Sequence, residues 1–143
     1  MLLILGIVSA VAVPALNNTM DEMKLNGAVR EVVSAIQYSR SLSIKESDSY
    51  GVWFNKTLQQ ISCFKVTGNK IILHPVDKKL YILDFTGAGQ LQGLNLVSTT
   101  LVGNKAIFND LGEPSESGSV ILRYAGLQKT INIAAPLGKV SVN

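Results

Sequence analysis

The sequence predicts an α+β fold, a long bent N-terminal helix packed on an antiparallel β-sheet or β-sandwich. Three features predict it. Residues 1–16 carry no charge and are apolar on every side. Residues 17–46 contain no proline and repeat their apolar positions at three- and four-residue steps. From Tyr50 onward the repeat becomes two, in short runs rich in Val, Ile and aromatics. The chain accordingly divides into a stem (1–16), an amphipathic continuation (17–48) and a globular β body (49–143).

The stem reads Met-Leu-Leu-Ile-Leu-Gly-Ile-Val-Ser-Ala-Val-Ala-Val-Pro-Ala-Leu. As a helix at ~1.5 Å per residue it reaches ~24 Å, short of the ~30 Å hydrocarbon core of a bilayer. Nine of its sixteen residues are Leu, Ile or Val. Their insertion gains roughly 3–5 kcal/mol before Gly6 and Pro14 take their share. Alone it is a marginal anchor, so it either extends upstream or finds protein partners in the membrane. The residues expected to face lipid or a filament core are Leu2, Leu3, Ile4, Leu5, Gly6, Ile7, Val8, Val11, Val13 and Pro14. A cleaved signal peptide is the rival reading, with Ser9-Ala10 or Ala12 as the small residues at the cut, but no Lys or Arg precedes the apolar run.

In the continuation, Ala28, Val29, Val32, Val33, Ala35, Ile36, Ser39 and Leu42 form one helical stripe, and the charged residues mostly occupy other sides. Pro14 lacks an N–H and is expected to bend the helix where stem becomes body. Arg40, beside Ser39, is placed to pair with an acid or to cap strand carbonyls.

The body is expected to hold strands at 51–54, 60–66, 70–74, 80–85, 95–101, 105–108, 119–124, 130–134 and 139–142. Turn signals separate them, among them Gly68-Asn69, Gly103-Asn104, Gly112-Glu113-Pro114 and Leu137-Gly138. Close spacing without intervening helices favours antiparallel meanders. Trp53 and Phe54 are expected to anchor the core, as is Cys63, the chain's one cysteine. The segment 86–93 holds three glycines and is expected to be a flexible loop.

The composition excludes more than it selects. A net charge of +3 from 13 Lys+Arg against 10 Asp+Glu is too mild to imply nucleic acid. After Glu116, however, Arg123, Lys129 and Lys139 follow with no acid among them. The one histidine, His74, has no metal-ligand spacing around it, and no Gly-x-Ser-x-Gly elbow exists for it to serve. Gly87-Ala-Gly89-Gln-Leu-Gln-Gly93 misplaces the third glycine of a dinucleotide loop. The carboxylates Asp110, Glu113 and Glu116 do not have the spacing of a calcium loop. Asn17-Asn-Thr19 and Asn55-Lys-Thr57 match the glycosylation tripeptide, a pattern common by chance. No catalysis, cofactor or metal is expected.

Stem and body together resemble a known family. Residues 5–16, Leu-Gly-Ile-Val-Ser-Ala-Val-Ala-Val-Pro-Ala-Leu, resemble the N-terminal helix of type IV pilins and type II secretion pseudopilins, in which a glycine and a proline are spaced as Gly6 and Pro14 are here. Residues 34–44, Ser-Ala-Ile-Gln-Tyr-Ser-Arg-Ser-Leu-Ser-Ile, resemble the corresponding helix of the GspH/FimT branch. The run Phe108-Asn-Asp-Leu-Gly-Glu-Pro, the strands 119–123 and 131–135, and Leu137-Gly-Lys-Val resemble that branch's closing pattern. Two features depart from the family. The basic leader, cleavage site and early glutamate would lie upstream of Met1, as in a truncated or miscalled start. Where DNA-uptake members carry Gly-Arg-x-Arg, this chain has Gly138-Lys139-Val140-Ser141.

The resemblance implies a minor pilin or pseudopilin. Such a subunit is anchored in the inner membrane by its stem, processed from a precursor by prepilin peptidase and assembled with other subunits through its N-terminal helix. The alternative is a DNA-uptake pilin that binds DNA through a basic C-terminal edge built by Arg123, Lys129 and Lys139.

Overall fold

The helix and strands expected from the repeats all form. The computed structural model describes residues 2–87, 89 and 91–143, with side chains from residue 19 onward. A single helix, α1 (Leu2–Glu46), is followed by β1 (Tyr50–Asn55), β2 (Gln60–Lys65), β3 (Lys70–Ile71), β4 (Ile82–Asp84), β5 (Asn95–Thr99), β6 (Lys105–Phe108), β7 (Gly118–Tyr124), β8 (Leu127–Ala134) and β9 (Lys139–Val142). The bend expected at Pro14 lies outside the described side chains. The helix ends where Ser47 turns to a φ of 52° and the Asp48 N–H donates back to the Ser43 carbonyl at 3.2 Å.

The strands make two antiparallel sheets. One has the order β3-β2-β1-β6, with β4 also paired to β2, and the other the order β5-β7-β8-β9. Side chains of α1 and of both sheets share one core. Leu25, Ala28, Val29, Val32, Ala35 and Ile36 from the helix meet Val52, Phe54, Ile61, Cys63, Leu96, Phe108, Val120, Leu122 and Ile131 from the strands. The expected helical stripe is therefore the buried one, with Leu25 added and Val33 and Leu42 at its margins.

Several strand ends differ from expectation for local reasons. The expected strands 70–74 and 80–85 shorten because Ile72 and Tyr81 both bond to Cys63 of β2 and to each other, and residues 73–80 then leave β2 as a hairpin of their own, joined by a Leu73–Leu80 bridge. The expected strand 130–134 starts earlier, at Leu127, because Ala125 and Gly126 both take positive φ (50° and 81°). That pair makes a two-residue hairpin turn matched to strand twist, so pairing begins at Tyr124–Leu127. Trp53 departs from its expected place. Alternation along β1 sends Val52 and Phe54 inward, both fully buried, and leaves Trp53 on the outer face, 39% exposed.

An edge strand with unpaired backbone groups is a liability, and Gln59 closes the one at β5. Its side-chain amide donates to the Leu96 carbonyl (3.2 Å), and its Oε1 accepts the Leu96 N–H (2.7 Å). Meanwhile the Gln59 carbonyl accepts the Phe85 N–H at 3.0 Å. The tip of the β1–β2 hairpin is thereby stapled to the second sheet. Gln59→Ala leaves both backbone groups of buried Leu96 unpaired, and we expect it to lower the unfolding free energy by about 1–3 kcal/mol. Urea unfolding reads the loss, and hydrogen exchange at the Leu96 amide rises with it.

Candidate functional site

In a chain expected to work by assembly, the informative geometry is how the body holds its helix. The last turns of α1 bury two polar side chains. Ser39 and Ser43 are both fully inaccessible, and each finds a carbonyl. The Ser39 hydroxyl donates to Gly51 O at 3.4 Å, and the Ser43 hydroxyl to Arg40 O. Arg40 donates from Nε to the Gly112 carbonyl at 2.9 Å. It thus caps a carbonyl, one of its two expected roles, but on the loop after β6 and not on a strand.

Two glycines make room for this contact. Gly112 (φ +78°) and Gly138 (φ +71°) both hold left-handed backbone. A Cβ on Gly112 would lie 2.7 Å from Ile44 Cδ1, and one on Gly138 would lie 2.9 Å from Arg40 Nε and 3.2 Å from Gly112 O. The loops after β6 and β8 therefore converge on one arginine of α1. The turn signals at both glycines were legible in the sequence; their meeting at Arg40 was not.

The remaining candidates are spread out. Cys63 is buried at the helix, its thiol 3.6 Å from the Ala35 carbonyl, and burial pushes its pKa up to about 12, so it is an unreactive core residue. His74 packs against Tyr81 with tilted rings whose centroids are 4.5 Å apart, and accepts the Val76 N–H at Nδ1. Burial also pushes the Tyr81 hydroxyl up to about 12. Of the acidic turn, Glu113 accepts from the Asn109 side chain and Glu116 from the Val102 N–H. Among the described residues no three metal-ligating side chains gather.

The three C-terminal cations do not share one edge. Strand pairing sets Arg123 opposite Gln128 and Lys139 opposite Ala134. These positions lie on one sheet face but six residues apart along β8, about 20 Å. Lys129 pairs with buried Leu122 and so points to the other face. The Arg123 guanidinium is bonded to the Gln128 side chain at 2.9 Å.

The ten stem residues, Leu2 to Pro14, lie outside the described side chains. Among the described residues, no helix is long and apolar enough to cross a membrane.

No family model matches the chain, and no curated protein does. Solved structures do. The minor pseudopilin EpsH from the type 2 secretion system of Vibrio cholerae superposes with a TM-score of 0.64 at 11% identity, over 84% of this chain and 96% of that one. The type IV minor pilin FimU of Pseudomonas aeruginosa gives a TM-score of 0.61 at 14% identity, over 87% of this chain and 92% of that one. A second crystal form of FimU gives 0.58 at 15%, over 83% and 92%. The chain has a pilin-like fold.

This agrees with the expected fold class and with the resemblance read from the stem, the helix and the closing glycine turns. At these identities the likeness is one of architecture. The pilin-like body holds its helix at both levels, through the apolar stripe in the core and through the arginine clamp at the far end.

Proposed function

We propose that the chain is a structural subunit, a minor pilin or pseudopilin of a type IV pilus or type II secretion filament, and not an enzyme. One observation carries the reading. A single helix runs from an uncharged apolar stem into a body whose architecture matches FimU and EpsH over more than four-fifths of the chain. The stem sits in the inner membrane while the body stands in the periplasm. On assembly the stem exchanges lipid for neighbouring stems, and Gly6, Ser9, Ala10 and Ala12 allow the close approach that such packing favours. A longer precursor is the substrate of prepilin peptidase. DNA uptake through Arg123, Lys129 and Lys139 has less support, because the sheet separates them and few phosphate contacts bind weakly and lose affinity steeply with salt.

Membrane fractionation tests the proposal. The full chain is expected to remain in membranes after an alkaline carbonate wash and to appear in sheared filaments when the host's pilus or secretion machinery is present. Mature protein that begins beyond Leu16 and stays monomeric in the soluble fraction would overturn it.

A further inference from the structure

A strand at a sheet edge presents backbone groups that seek partners, and most edges described here are blunted. β3 and β4 are only two and three residues long. Along β6, the Ile107 carbonyl accepts the Ser115 N–H at 2.8 Å and Phe108 is bridged to Pro114. Gln59 closes β5 at Leu96. β9 has no such cover. Antiparallel pairing fixes which of its groups are spent on β8. Thr130 and Asn143 exchange both backbone bonds, at 3.0 and 2.9 Å. By alternation Ser141 and Lys139 also turn their groups to β8, opposite Asn132 and Ala134. The N–H and C=O of Val140 and Val142 then point away from the sheet, and among the described residues they have no partner. The strand contains no proline, and its one charge, Lys139, stands at its first residue. Val140 and Val142 lie opposite Ile133 and Ile131, both buried, so the two valines face the core side. Val142 is nevertheless 43% exposed.

We propose that β9 accepts an added strand, an extended segment of a different protein that is apolar at alternate positions and bears carboxylates. The outward groups of Val140 and Val142 bond its backbone, and its apolar side chains continue the core side beyond the valines. Carboxylates fit because the only charged residues after Glu116 are Arg123, Lys129 and Lys139. A second copy of the chain fits poorly. Its β5 edge is taken by Gln59. Two β9 strands paired parallel would bring Lys139 beside Lys139. Paired antiparallel, they are related by an axis perpendicular to the sheet. α1 packs along the sheets, so that axis points the two stems in opposite directions. Only this last exclusion rests on the reading of the chain as a filament subunit, whose stems share one membrane.

Titration of the full chain in detergent micelles with the synthetic peptide Glu-Val-Thr-Val-Thr-Val-Glu tests the proposal. Hydrogen exchange at the Val140 and Val142 amides is expected to slow about tenfold, while the Ser141 amide, already paired to β8, changes little. The same peptide N-methylated at every residue cannot donate and should leave both amides fast. A peptide with Lys in place of both Glu residues should bind several-fold more weakly. Val142→Pro removes an outward N–H and spares every bond to β8, so it should keep the urea midpoint and weaken the acidic peptide about tenfold. If that variant unfolds, the methylated peptide still decides. Equal protection by the methylated peptide, undiminished binding to a folded Val142→Pro, or both amides remaining fast at about 1 mM acidic peptide would overturn the proposal. Protection already present without peptide, in a dimer seen by sedimentation, would give the edge to a second copy and overturn it as well. None of these outcomes bears on membrane retention or filament recovery, so the subunit reading stands or fails separately.

Discussion

Gly51→Val is expected to cost about 3 kcal/mol of unfolding free energy, a large part of the total for a domain of this size. Gly51 sits mid-sheet on β1, paired with Phe64 of β2 on one side and Ile107 of β6 on the other. A Cβ there would lie 2.7 Å from the Ala106 carbonyl oxygen and 3.1 and 3.2 Å from two atoms of the Phe64 ring. A side-chain tip could swing away, but a carbonyl in a paired strand moves only with its strand. The Phe64 ring covers the glycine on the outer face and is itself 5% exposed. Above it lies the Lys105 ammonium, 5.3 Å from the Phe64 ring centre and 5.6 Å from that of Trp53. A valine must therefore expel Phe64, uncover that cluster and strain the β1–β6 register together. Urea unfolding followed by Trp53 fluorescence reads the effect directly, since Trp53 is the only tryptophan and belongs to the cluster. Gly51→Ala should act in the same direction with a smaller loss. An unchanged midpoint for the valine variant would show that the outer face is not packed as described.

The second large effect belongs to the arginine clamp. Gly138→Ala forces an alanine into left-handed backbone, at about 1–2 kcal/mol, and pushes the new methyl at the Arg40 side chain. Displacing the guanidinium also forfeits its bond to the Gly112 carbonyl, a hydrogen bond to a charged group worth about 1.5–3 kcal/mol. A loss of about 3 kcal/mol is expected, and Arg40→Ala alone should cost about half of that. The two are neighbours sharing one contact, so they should not add. Once Arg40 is gone, Gly138→Ala retains only its backbone strain, and the double variant falls short of the sum. A double-mutant cycle in urea measures the shortfall, and strict additivity would mean that Gly138 and Arg40 do not act through one another. The clamp also ties the loops after β6 and β8 to the last turns of α1. Loosening it frees the end of α1 from both loops.

Much of this could be read along the chain because the deciding physics is local. The change of period at Tyr50, the proline-free helix and the turn residues between strands each depend on neighbours a few positions away. Where expectation and structure part, a distant contact had intervened. The strands at 70–74 and 80–85 shortened because a hairpin formed between them, and Trp53 turned outward because the register of β1 against β2 and β6 gave the inner face to Val52 and Phe54.

The sequence by itself determined the α+β class, the approximate places of the strands, the helical stripe that became the core and the uncharged stem on which the assembly proposal depends. Only the tertiary structure brought Arg40 together with Gly112 and Gly138, set Arg123 and Lys129 on opposite faces of one sheet, and left Met20 and Met23 uncovered. The reason is physical. Periodicity records which residues seek burial, but strand register and loop path decide which distant residues meet, and no short stretch of sequence contains that choice.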